Sequence, residues 1–164
     1  VSYRKDEDSR DVGAARQAID DRISRRFRGR NRGWLTEGLG QRLCWHLSGR
    51  HGPPFVSLVG TDRERAARGE VTPPDDPTAW PEAAAEVIAR EGSARLTAVL
   101  TKRLNAMEGA DVLVAYGLAA YLLEPESDDG VVTWNLMDRD LRRGAEYPFL
   151  RTTAELNVPR RVVE

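Results

Sequence analysis

The stretch from Ser93 to Gly144 constrains the fold of this chain more than any other. Leu96, Val99, Leu100, Leu104 and Met107 recur at the three-and-four spacing of one helical face. Ser93 precedes that face as a candidate N-cap, and Gly109 stands where a C-terminal cap belongs. The apolar run DVLVAYGLAAYLL follows as a second helix. Glu124, Glu126, Asp128 and Asp129 then read as an acidic turn, before a third short helix carrying Trp134. No other stretch buries as much apolar area, so the core is expected here.

The remainder reads as helices as well. Residues 1–9 read as a solvated arm. Val12, Ala15, Ile19, Ile23 and Phe27 then step by three or four along a helix that fails at Gly29. A second helix is expected from Leu35 to Ser48, with Thr36 as N-cap, Leu39, Leu43 and Leu47 on one face, and Gly49 as its stop. Gly38 and Gly40 weaken it by about 1 kcal/mol each relative to Ala, so it is expected to lean on tertiary packing. PPFVSLVG is either a short strand or an extended packed connector. Pro81 suits a first helical position, and Gly92 is expected to end the helix it opens. Thr133 is the expected N-cap of the Trp134 helix, and Tyr147, Leu150 and Ala154 keep helical spacing in the tail.

At 164 residues the chain suits one domain or two small ones. The expected class is all-α, as two small helical subdomains forming an elongated helical bundle. Residues 1–60 form an Arg-rich helical subdomain, the polar, Pro-rich residues 61–80 a linker, and residues 81–164 a helical bundle. A single cysteine, Cys44, excludes an internal disulfide and a Cys-based zinc site, and its apolar helical setting suits a buried thiol. No run approaches the roughly 18 apolar residues of a membrane helix. The charged N-terminus lacks a signal-peptide core. A soluble cytoplasmic protein is the expectation, with no membrane partner.

Charge is nearly balanced overall, at −1, but it is unevenly placed. Between Arg22 and Arg32 there are six Arg and no acidic residue. An Arg run is often just a solvated face. Here no local carboxylate balances it, and the mutual repulsion of its guanidinium groups is relieved by a polyanion. Arg offers a planar fork of donors suited to phosphate, and Lys occurs only at Lys5 and Lys102.

Catalytic signals are sparse. His46 and His51 are the only histidines, and neither has the His and Glu spacing of a metallohydrolase. Asp138 and Asp140 point about 200° apart on a helix, a poor start for a two-metal site. The acidic turn lacks the pattern of a calcium loop, and no phosphate loop, dinucleotide fingerprint or nucleophile elbow is present. The chain is read as a non-enzyme without cofactor or metal.

Taken in order, the helices resemble the small subunit of the CRISPR Cascade surveillance complex, particularly its type I-E form. LTEGLGQRLCWHLSG resembles that family's N-terminal helix, PEAAAEVIAREGSARLTAVLTKRL the broken helix opening its second half, and DVLVAYGLAAYLL the helix after it. VTWNLMDRDL resembles the family's Trp-led short helix. The similarity spans roughly residues 10–156, and the order and spacing of these stretches carry it. The resemblance implies a noncatalytic, all-helical part of an RNA-guided complex. Its implied partners are the CRISPR backbone and large subunits, a second copy of itself head to tail, and the phosphates of guide RNA and target DNA. Target sequence is read by base pairing, so such a subunit need only present positive charge along a backbone. Arg16, Arg22, Arg25, Arg26, Arg28, Arg30 and Arg32 are the candidates in the first half, and Arg142 and Arg143 in the second. Two other readings stay open: a helical adaptor whose Arg strip meets an acidic protein, and a small nuclease or toxin domain using His46 or His51.

Overall fold

The structure, a computed structural model, describes residues 2–27, 33–56, 64, 67, 70–123, 134–136, 138, 139 and 142, the side chains at 2–10, 77 and 93 excepted. It is all-α, with no strand among the described residues. Helix α1 runs Ser2–Arg26. It therefore begins well before the apolar periodicity and takes in the residues expected as an arm. Nothing halts it there, because the first breaker-type residue is Gly13 and the charged residues before it tolerate a helix.

A π-helical segment, Leu35–Leu39, leads directly into α2, Gly40–Ser48. Trp34 is already helical, so Thr36 is not the N-cap but lies buried inside the π-helical turn. Gly49 does end α2, in a left-handed conformation (φ 66°) with its N–H donating to the Trp45 carbonyl at 2.8 Å. Beyond it, residues 51–56 form a packed connector with Val56 buried, while Ser57–Gly60 lie outside the described residues.

Helix α3 spans Trp80–Thr101 with Pro81 in its first turn, and a break at Gly92 (φ 67°, ψ −163°) divides it as expected. The segment after the break is shorter than the apolar spacing implies. It stops at Thr101 because Lys102 and Arg103 are extended. Leu104 falls in a 3-10 turn, Leu104–Ala106, and Met107 in the extended residue after it, yet Met107 remains buried. Gly109 is thus not a C-cap. It opens α4, Gly109–Leu123, where a side chain would overlap the Val71 carbonyl. Asp111 defines that start by accepting the Glu108 N–H at 2.8 Å, the acid half of a capping box.

Helix α4 is apolar around nearly its whole circumference and is the centre of the molecule. Val112, Leu113, Val114, Ala115, Tyr116, Leu118, Ala119 and Leu122 are all 1 % exposed or less. Burying a Val or Leu side chain stabilises by about 1.5–3 kcal/mol, so this helix dominates the core. It packs against α3 on one side and the π-helical turn on another, and α1 closes over α2. One hydrophobic cluster therefore joins Ile23, Phe27 and Trp34 to Leu96, Val99 and Leu113 across the intervening polar segment. The glycines at 38 and 40 allow this approach. A methyl group at 38 would overlap the Ala115 carbonyl, and one at 40 the Arg16 guanidinium.

Candidate nucleic-acid interface

The buried stripe of α1 supplies the clearest correction. Arg16 is fully buried, so it does not belong to an exposed phosphate-binding strip. Its Nη2 donates to the Thr36 carbonyl at 2.7 Å and pairs with Glu37 Oε2 at 3.3 Å. Glu37 Oε1 in turn accepts the backbone N–H groups of Phe55 and Val56, and Gln41 exchanges two hydrogen bonds of 3.0 Å with Gly52. Burial pushes the Arg16 guanidinium down and the Glu37 carboxyl up from their ordinary pKa values, against their mutual attraction. These groups tie the 51–56 connector to α1 and the π-helical turn. Arg16 lies seven residues before Ile23 and eleven before Phe27, on the buried stripe, so its spacing already held the signal.

The end of α1 is different. Arg22 and Arg25 are exposed on its last turns, and Arg25 Nε donates to the Asp21 carbonyl at 3.1 Å. Cations are favourable at a helix C-terminus, where the unpaired carbonyls carry partial negative charge. Phe27, just beyond, is buried and meets the edge of Trp134 at a ring-centroid distance of 6.4 Å. That aromatic contact fixes the helical residues around Trp134 against α1. Asp138, one turn on from Trp134, then accepts two parallel hydrogen bonds from Arg26, Nε to Oδ1 at 2.9 Å and Nη2 to Oδ2 at 3.0 Å. Arg142 Nη2 meets the same Oδ2 at 2.9 Å. The hydrogen bond to Asp138 raises the Arg26 pKa above its already high ordinary value, so the site stays cationic.

Arg26 and Arg142, read from sequence as belonging to separate halves, are thus brought to one place with Arg22 and Arg25 nearby on α1. Arg28, Arg30, Arg32 and Arg143 lie outside the described residues, as do the acidic turn, Thr133 and the tail. Asp138 is the member that sequence reasoning missed. Its spacing of four from Arg142 was legible as a helical ion pair, but nothing local announced Arg26.

The histidines are placed apart from this surface. His46 is exposed on α2. The His51 ring is wedged between Trp80 at 4.1 Å, Tyr116 at 5.2 Å and Trp45 at 5.4 Å, and neither of its nitrogens has a hydrogen-bond partner among the described residues. Burial, then the charges of Arg16 and Arg42, lower its pKa to about 4. Cys44 is buried. A groove of about 410 Å³ between α3 and α4 is lined by small apolar residues and two tyrosines, without a charged group. Among the described residues no three His, Cys, Asp or Glu side chains cluster as metal ligands, and no helix is long and apolar enough to cross a membrane.

No protein-family model matches the chain, and no curated protein or solved structure does.

Proposed function

We propose that this chain is a noncatalytic nucleic-acid-binding subunit, and that the assembly it serves is an RNA-guided CRISPR effector of the Cascade type. One observation carries the binding reading: arginines from the end of α1 and from the Trp134 segment meet on one exposed surface, joined through a single carboxylate. Guanidinium groups held on rigid helices suit a phosphate backbone, which they contact without reading its sequence. The assignment to a CRISPR effector rests on the order of the helix motifs in the sequence. In such an assembly the chain contacts guide RNA and target DNA phosphates and stabilises target-bound DNA, beside backbone and large subunits and a second copy of itself.

Purification of an affinity-tagged chain from its native cell tests this reading. The expected result is a large particle containing the chain, other subunits, and RNA whose sequence carries repeat-derived ends. Recovery of the chain alone, free of RNA, contradicts it. Binding of the isolated chain to single-stranded DNA of unrelated sequence should be displaced by heparin and should strengthen with strand length.

A further inference from the structure

We infer that Asp138 is a positioning residue, which draws Arg26 and Arg142 into one two-guanidinium clamp for a single backbone phosphate. The inference rests on the nucleic-acid reading above and names the group that organises that surface. Arg26 and Asp138 are 112 residues apart in sequence, so no helical spacing accounts for their meeting. The Asp138 side chain is only 6 % exposed, whereas those of Arg26 and Arg142 are each 52 % exposed. The anion is held inside and the two cations stand at the rim.

The donor inventory leaves both arginines with work available. Arg26 uses its Nε–Nη2 edge on Asp138, which leaves the outer edge of the fork. Among the described residues, Arg142 meets Asp138 through Nη2. Because the Nη2 atoms of Arg26 and Arg142 lie 3.0 and 2.9 Å from the same Oδ2, they stand within about 6 Å of each other. A tetrahedral phosphate can bridge that span with charge-assisted bonds of about 2.7–2.9 Å. Two guanidinium groups so close repel unless an anion lies between them. Asp138 supplies one charge against two, so the clamp is pre-organised and still cationic, and less ordering remains to be done on binding.

A tie that merely fastens the Trp134 segment to α1 makes a different prediction from a clamp, and the sign of one substitution separates them. Asp138→Asn removes a negative charge from a phosphate-binding surface. If charge alone governs binding, affinity rises. If Asp138 positions the arginines, affinity falls despite the extra positive charge. The probe is fluorescein-labelled single-stranded DNA of mixed sequence, followed by anisotropy well below the unfolding midpoint of each protein, with helicity checked by circular dichroism. The expected result for Asp138→Asn is a loss of about threefold to tenfold. Equal or tighter binding overturns the inference.

The double variant Arg26→Lys and Arg142→Lys keeps both charges, and its Lys side chains can still pair with Asp138, but it has no fork. It carries the test if Asp138→Asn does not fold. Its affinity should drop by about tenfold with the salt dependence unchanged, because the number of neutralised phosphates stays the same. Wild-type affinity in that double variant removes the clamp. Failure of the wild type to bind the probe removes the nucleic-acid reading itself and the clamp with it. A wild type that binds, paired with variants that bind as well or better, removes the clamp alone.

Discussion

His51 illustrates how a residue that looks chemical in sequence can be structural in the fold. Its ring is packed among Trp45, Trp80 and Tyr116, and the neighbouring Arg16 and Arg42 add to the cost of charging it. The folded state holds it neutral down to about pH 4, below the ordinary value of 6.5. A lowered folded pKa means that its contribution is complete above pH 6.5 and is lost as pH falls toward 4. That loss should amount to about 1–3 kcal/mol. Denaturant unfolding followed from pH 7 downward should show it in the wild type, and His51→Phe should flatten this part of the profile. Parallel profiles for the two proteins would show that His51 is charged equally easily in the folded and unfolded chain. Arg16 teaches the complementary lesson. Residue type groups it with the arginines that follow, although its position on the buried stripe of α1 says otherwise.

At the scale of elements, two glycines separate the demands of packing from those of backbone conformation. Gly38 lies against the Ala115 carbonyl, so Gly38→Ala pushes the π-helical turn away from α4 and should destabilise by about 1–3 kcal/mol. Open space surrounds the place a Cβ would take at Gly92, but its φ of 67° and ψ of −163° belong to a region that only glycine enters readily. Gly92→Ala should also cost about 1–3 kcal/mol, here through backbone strain alone. Thermal unfolding of the two variants checks this; equal stability of Gly38→Ala and wild type would contradict the packing described.

The elements themselves were largely legible. Periodicity located α4, the break at Gly92 and the stop at Gly49, because apolar spacing and glycine punctuation act locally. It misjudged the start of α1, since a charged helix leaves no apolar stripe to read. It also overran α3, because Leu104 and Met107 reach the same core from a 3-10 turn and an extended residue. Glycines 38 and 40 read as weak points of a helix, whereas their partners, Ala115 and Arg16, lie 77 and 24 positions away and only the tertiary fold reveals them.

For the whole molecule, the organising fact is that one apolar helix, α4, gathers the others around a shared core, and the charged surface is a consequence of that packing. Phe27 and Trp134 come together at the edge of the core, and their contact brings Arg26 and Arg142 onto a common carboxylate. The arginine run was visible in sequence, but the partner it acquires from the second half was not, since no local pattern links positions 26 and 138. Salt titration of single-stranded DNA binding tests the central claim most directly. Three phosphates, one each at Arg22 and Arg25 and one shared by Arg26 and Arg142, give a slope of log affinity against log salt of about −2. Replacing Arg22 and Arg25 with Ala should weaken binding and flatten that slope by about 1.4, with helicity unchanged. A wild-type protein that does not bind, or a double variant with the affinity and slope of the wild type, would contradict the account.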